Sequence, residues 1–428
     1  MERIVFKYLF NHFKHNSIIS MWQSGFMPQC STVCQLVELY HQFCRYVEDG
    51  KEIRVVFLDI SRAFDRVWHV GLLHKLHKSG INGSLLQWLK DYLEDRAQRV
   101  CLSGEYSDWA YIMAGVPQGS ILGPLLFLIF INDLTEVVRY SQIRLFADDT
   151  CLYISIDNRV HVSTLVNADL QAIQEWSRRW LVEFSAPKTK SLIISNKPDR
   201  NDNPHVVMHG TILNEVQSHK HLGVVLHQSL VWSSHIEEIC IKAMTRLNVV
   251  QRIKFKVSRD CRTRYYLSFV LPILEYADSL WDGAHDQDLN RLDRVHIRAM
   301  RIITGATQRC NTQALYTELG WHTLSQRRKI HRLRLFYKIK HNLAPNYLAH
   351  LMPQTVHERN RYALRNREDM TRFRAHRQAY YNSFFPRTTR DWNNLPLQIR
   401  QSQSLYSFNR QLSLHFAAPS RTPWYGCG

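Results

Sequence analysis

Asp148 and Asp149 stand side by side in the run Leu145-Phe146-Ala147-Asp148-Asp149-Thr150, with Ile143 before it and Cys151-Leu152-Tyr153-Ile154 after it. Successive strand side chains point to opposite faces, so two adjacent carboxylates share one side only at a turn. The apolar, β-prone flanks predict two strands joined by a tight turn at this point. Neighbouring carboxylates repel unless a cation lies between them, and a hard Mg²⁺ ion is the usual partner. Such an ion needs few protein carboxylates, because water and phosphate oxygens complete its shell. A solvated hairpin tip is the competing reading of the same residues.

A third carboxylate lies far upstream. Ile53-Arg54-Val55-Val56-Phe57-Leu58-Asp59 reads as a strand buried on both faces that ends on an acid. A charge at that place is costly unless it is paired or bound to a metal. The alternative is an N-cap for a helix beginning near Ser61. Asp65, farther along, reads as a structural or solvated acid. Between the acids runs Gly115-Val116-Pro117-Gln118-Gly119-Ser120, a loop by composition, with Ser120 set to cap the helix that follows. A glycine loop entering a helix is by itself a weak sign of a phosphate cradle. Its Gln118 is a polar side chain suited to touching a base or sugar. Acids from separate strands that meet at one edge can hold two Mg²⁺ ions about 4 Å apart. One ion lowers the pKa of an attacking hydroxyl and the other steadies a leaving pyrophosphate, which is nucleotidyl transfer by positioning and charge neutralisation.

The elements that must carry these residues follow from periodicity. Residues 2–22 read as a helix on the spacing of Ile4, Val5, Tyr8, Leu9 and Phe13. A second helix starts at Ser31-Thr32, with Val33, Leu36, Leu39 and Tyr40 on one face. Helices fill 70–96, broken at Gly80–Gly83, and a strand pair is expected around 99–102 and 109–114. Pro124 suits the first turn of a helix running to about Val138. Beyond the acidic hairpin come a helix over 162–184, a strand over 191–195, a polar stretch over 196–204 and a hairpin closing at His219–Val224. From about 235 the chain reads helical and increasingly basic. Arg327, Arg328, Lys329, Arg332, Arg334, Lys338 and Lys340 share one amphipathic helix, and a second basic run from Arg359 to Arg377 has Tyr362, Phe373, Tyr380 and Tyr381 interleaved or close behind it. These runs read either as solvated helix faces or as nucleic-acid contacts.

Composition narrows the classes. Hydrophobic content of 45% with 11% aromatics describes a folded chain, and 428 residues suffice for two or three domains. Basic residues number 55 against 37 acidic ones, a net charge of +18 that suits a polyanionic partner. The apolar run Ile121–Ile131 is too short to span a membrane, and no signal-peptide pattern opens the chain. Nine cysteines without a C-x-x-C pair point to a reducing compartment and away from a disulfide framework or zinc knuckle.

Three ordered segments resemble motifs A, B and C of reverse transcriptases, in the form seen in non-LTR (LINE-type) retrotransposons. They are Phe57-Leu58-Asp59-Ile60-Ser61-Arg62-Ala63-Phe64-Asp65, the 115–120 loop, and Phe146-Ala147-Asp148-Asp149. Gln23-Ser24-Gly25-Phe26 is similar to the fingers signature, Lys188-Thr189 to the following basic motif, and His221-Leu222-Gly223 to the primer grip. Ser383-Phe384-Phe385 with Trp392-Asn393-Asn394-Leu395-Pro396 resembles the C-terminal region of jockey-type and chicken-repeat-type elements. A group II intron maturase fits less well, since no paired-cysteine nuclease domain closes the chain.

The resemblance implies an α+β right-hand polymerase: a palm with an antiparallel sheet and packed helices, partial fingers, a helical thumb and a mainly helical, basic C-terminal domain. The implied limits are 1–50 for fingers, 51–228 for palm, 229–320 for thumb and 321–428 for the C-terminal region. It implies that Asp59 and Asp148 ligate two Mg²⁺ ions, with Mn²⁺ as a substitute, and that Asp149 supports them. Phe64 would lie beneath the sugar of the incoming nucleotide, although periodicity alone makes it a core residue. Gln118 and Gly119 would line the nucleotide and template pocket, Lys188 would protonate pyrophosphate, and Leu222 and Gly223 would hold the primer end. Implied partners are an RNA template (the element RNA), a DNA primer or target DNA, and dNTPs, with no membrane, in nucleus and cytoplasm. Relatives usually carry an upstream endonuclease and an Arg-Pro-Ile-Ser-like motif, so the chain is expected to be N-terminally truncated. Met27 and Cys30 stand where basic residues are common, which makes a catalytically silent nucleic-acid-binding remnant the rival reading.

Overall fold

The structure is a computed structural model that describes residues 1–197, 203–359 and 367–416. Tyr362, in the second basic run, and part of the polar stretch at 196–204 lie outside the described residues. The chain divides into two compact units: Met1–Thr32 with Lys51–His221, and Val33–Gly50 with Leu222–Gly428.

The first unit is built on a five-stranded sheet. Its strands are β1 (Glu52–Leu58), β2 (Gln142–Phe146), β3 (Asp149–Ile156), β4 (Lys190–Ile194) and β5 (Asn214–Glu215), in the order β5-β4-β1-β3-β2. β1 is central and all seven of its residues are buried, as a near-continuous apolar run requires. Its two charged members are paired. Arg54 lies 3.1 Å from Ser191 Oγ and 3.3 Å from Glu215 Oε2, and Glu52 lies 2.8 Å from Arg159 Nη2. An antiparallel sheet was expected, but β5 joins β4 in parallel, so the sheet is mixed. This two-residue edge strand is held to the sheet partly by the Glu215 carboxylate on Arg54.

Helices cover the sheet. Leu122–Ile131 is apolar all round and accordingly buried from Leu122 to Ile131 except at Pro124. It packs in one core with residues of His69–Lys78, Gly83–Leu93 and Arg159–Trp180. Expectation and structure differ at several ends. The first helix stops at His15, where Asn16 leaves the helical region and Ser17 turns left-handed. The helix expected to reach Val138 breaks at Asn132-Asp133, whose side chains are engaged elsewhere. Asn132 binds Ser20 N–H and Ile18 C=O, each at 2.7 Å, and Asp133 binds Lys75 and Trp176. The strand pair expected over 99–114 is two nested pairs, Ala97–Gln98 with Ala110–Tyr111 and Cys101–Leu102 with Glu105–Tyr106.

The second unit is mostly helical. Thr32–Glu48, taken from sequence as one-faced, is buried continuously from Cys34 to His41. The expected boundary at residue 50 groups this helix with residues 1–31, whereas its contacts group it with the C-terminal half. Its companions include Ser233–Ile253, Asp286–Thr304, Leu324–Lys340, Phe384–Asn393 and Leu405–His415. In the basic helix Leu324–Lys340 part of the charge is neither a solvated face nor free for nucleic acid, while Lys338 stays exposed. Arg328 and Arg332 are buried and reach Asp282 at 2.7 and 2.8 Å, Arg332 also reaches Asp391 at 2.7 Å, and Arg327 pairs with Glu275. These guanidinium groups hold helices together, because a buried charge without a partner is prohibitively costly.

Candidate active site

The acidic pair sits where alternation requires it, at the turn between β2 and β3. Phe146 pairs with Asp149 as the last rung, and Ala147 makes the turn with a left-handed φ of 55°. β1 lies beside β3, with Leu58 opposite Thr150, so the end of β1 brings Asp59 to the same edge. The N-cap reading of Asp59 fails. Residue 60 bridges to Phe184, Asp59 C=O accepts Ser185 N–H at 2.9 Å, and the next α-helix begins only at His69. A single 3₁₀ turn, Ala63–Arg66, intervenes.

The three carboxylates feel one another. Partial desolvation and then the charge of Asp59 raise Asp148 above the usual carboxylate range. Asp149 is pushed up to about 6 by desolvation and by the charges of Asp148 and Asp59. Asp59 Oδ2 is buried and accepts no hydrogen bond, and Lys188 Nζ stands 3.5 Å from it. Among the described residues no three His, Cys, Asp or Glu side chains are grouped as a ready-made metal cage. The donor set nevertheless fits Mg²⁺. It is all hard oxygen, carries excess negative charge, and includes a buried oxygen that accepts no hydrogen bond and meets the Lys188 ammonium at 3.5 Å, while Mg²⁺ takes most of its shell from water and phosphate.

Around the acids, two loops are tied to each other. Gly115 N–H donates to Val67 C=O at 2.8 Å and Val116 N–H to Phe64 C=O at 2.9 Å. Gly115 has a φ of 92°, and a Cβ there would lie 2.8 Å from Asp65 O, so this position needs glycine. Phe64 is half-buried, stacked on Phe127 with centroids 4.5 Å apart and edge-on to Phe26 at 6.1 Å. Gln118 donates to Asp65 Oδ1 at 2.6 Å, which gives Asp65 a partner unforeseen from sequence, and Gly119 has open space around it. Ser120 Oγ accepts Gly123 N–H at 2.9 Å, although the N-cap position of the helix is Ile121 rather than Ser120.

Asp59, Asp148, Asp149 and Lys188 therefore converge, and Phe64 and Gln118 share the paired loops. Leu222 and Gly223 form a separate feature of the second unit. They make a two-residue turn with φ of 46° and 82°, Leu222 C=O accepts Tyr276 Oη–H at 2.7 Å, and the Tyr276 ring packs against Gly223. Gln23, marked in the sequence only as part of the fingers-like segment, has a place that the sequence does not signal. It is buried against the acidic turn, and a lone amide in a Ser/Gly/Pro-rich stretch carries no signal of such a contact.

The profile of the family described as reverse transcriptase (RNA-dependent DNA polymerase) matches residues 1–226, just over half of the chain. The RNA-directed DNA polymerase from mobile element jockey of Drosophila melanogaster is 31% identical over 360 residues, 82% of this chain and 39% of that protein. The probable RNA-directed DNA polymerase from transposon X-element of the same species is 27% identical over 385 residues, 87% of this chain and 42% of that protein. The chain thus spans about two-fifths of the length of these relatives. Apo telomerase from Candida tropicalis aligns over 71% of this chain and 50% of its own, at 10% identity and a TM-score of 0.41, too low a likeness to argue from. With its acidic hairpin inside the matched segment, the chain belongs to the reverse transcriptase family.

Proposed function

We propose that the chain is the RNA-directed DNA polymerase of a non-LTR retrotransposon and extends a DNA primer on an RNA template. The observation that carries this reading is the convergence of Asp59, Asp148 and Asp149 at one sheet edge, with a buried Asp59 oxygen that accepts no hydrogen bond. Asp59 and Asp148 would hold two Mg²⁺ ions, or Mn²⁺ in their place, and Asp149 would add charge beside them. Those ions supply Lewis acidity at the primer hydroxyl and neutralise charge on the triphosphate. Lys188, a cation already paired with Asp59, is suited to give a proton to the leaving pyrophosphate. Phe64 would lie under the deoxyribose. Gln118 would exchange its bond to Asp65 for the nucleotide or template base, beside the open backbone of Gly119. Leu222 and Gly223 would hold the primer end.

In this reading the sheet-bearing unit is palm with partial fingers, 229–320 serves as thumb, and 321–428 is a C-terminal region that adds nucleic-acid contact. The partners are the element RNA, a DNA primer or target DNA and dNTPs, encountered in nucleus and cytoplasm. The test is primer extension on an RNA template with Mg²⁺, wild type against Asp148→Asn. Extension by the wild type, abolished by the substitution with primer–template affinity retained, supports the reading. Equal extension by both removes the site. Template binding without any extension by the wild type favours a catalytically silent remnant.

A further inference from the structure

The acidic turn lies at the end of an edge strand. β2 is an edge strand, so its outward backbone groups have no strand beside them. Ala147, which makes the turn, holds a left-handed conformation that an alanine adopts reluctantly. Residues 22–25 meet both needs. Leu145 N–H donates to Trp22 C=O at 2.9 Å, Ser24 N–H donates to Leu145 C=O at 2.8 Å, and Gln23 bridges Leu145 in parallel.

The Gln23 side chain, 5% exposed, then reaches past the strand to the turn itself. Its Oε1 accepts Ala147 N–H at 2.9 Å and Gly25 N–H at 2.7 Å, and its Nε2 donates to Ala147 C=O at 3.4 Å. Gly25 permits the approach, since a Cβ there would lie 2.1 Å from Ala147 N.

We propose that Gln23 is a positioning residue for the reaction: by clasping both backbone polar groups of Ala147, it fixes the left-handed turn that presents Asp148 and Asp149 beside Asp59. The kinetic consequence rests on the polymerase reading, whereas the clasp does not. A primary amide accepts and donates at once and brings no charge to an already acidic site. Ionised glutamate only accepts, and methionine offers neither contact, so the parts of the clasp separate by substitution.

The experiment compares wild type, Gln23→Met and Gln23→Glu as full chains in two measurements. The first is backbone hydrogen exchange over 145–149 without metal, and the second is steady-state primer extension on an RNA template with Mg²⁺. Gln23→Met should raise exchange at Ala147 by about tenfold, the size of one lost hydrogen bond. It should also lower kcat by about 10- to 100-fold, as misplaced reacting groups do, with KM for dNTP little changed. Gln23→Glu keeps both N–H contacts and should keep the protection of Ala147, which also carries the test if the methionine variant fails to fold. Unchanged exchange in Gln23→Met, lost protection in Gln23→Glu, or raised exchange with wild-type kcat each overturns the positioning role. A wild-type chain that extends no primer refutes the polymerase reading, and the exchange comparison then still decides whether Gln23 holds the turn.

Discussion

Arg332 Nε lies 2.8 Å from Asp282 Oδ2, with both side chains almost wholly buried. The same guanidinium reaches Asp391 at 2.7 Å and Thr388 Oγ1 at 3.2 Å, and Asp282 also receives Arg328 and Arg387. Three cations around it hold the Asp282 carboxyl below its usual range against the opposing effect of burial. Removing one partner leaves the other charge buried, so Asp282→Asn should destabilise by about 3–5 kcal/mol. Denaturant unfolding of the variant against wild type checks this, and a midpoint shift worth less than about 1 kcal/mol would count against it.

The nucleic-acid contact proposed for the C-terminal region would need cations other than those. Arg372 and Arg374 are exposed, on a stretch whose Phe373 packs edge-on to Tyr380 and His41. Arg372→Ala with Arg374→Ala should leave stability unchanged and flatten the dependence of log affinity on log salt. Each lost phosphate contact should lower the slope by about 0.7 to 0.9. An unaltered slope in a filter-binding or anisotropy titration assigns these arginines to solvent.

Lys75 offers a pH test inside the first unit. Its Nζ is 2.5 Å from Asp133 Oδ1 and from Phe130 C=O, and 3.7 Å from the centroid of the Trp180 ring. Burial lowers its pKa to about 8 despite the Asp133 charge. The unfolded lysine keeps its proton to a higher pH, so between about 8 and 10.5 the folded state binds fewer protons. Its contribution to stability therefore rises with pH across that window and is flat below it. Lys75→Met should remove a rise on the order of 3 kcal/mol, seen as the difference between two stability–pH curves. Parallel curves would show that Lys75 does not titrate there.

Membership of the reverse transcriptase family brings the right-hand polymerase fold, and much of the first unit was legible because its signals are local. The acidic turn announced itself through alternation on both sides, and β1 through an unbroken apolar run. What stayed hidden depends on partners distant in sequence. Gln23 and Ala147 are 124 residues apart, and Arg332 and Asp391 are 59 apart. Periodicity can place Arg328 and Arg332 on a helix, but it cannot say that aspartates will arrive to neutralise them. The early end of the first helix has the same origin, since the residues beyond it are engaged by β2 and by Asn132.

Phe64 separates a packing role from a selective one. Its ring is half-buried, stacked on Phe127 and edge-on to Phe26, while its backbone carbonyl anchors Val116 of the adjoining loop. Packing of this kind makes the ring rigid, and under the proposed nucleotide site a rigid ring beneath the sugar would exclude a 2′-hydroxyl by overlap alone. Excluding an added group by lost hydrogen bonds is weak, whereas steric repulsion acts on every base alike. Phe64→Val keeps the backbone bond to Val116 and removes the ring. The loss of stacking should lower stability by about 1–3 kcal/mol. If the ring also gates the sugar, the ratio of kcat/KM for ribonucleotide to that for deoxyribonucleotide on one template should rise by at least about tenfold. Stability and the ratio are separate readouts, so a destabilised variant whose ratio stays at the wild-type value would make Phe64 a core residue and nothing more.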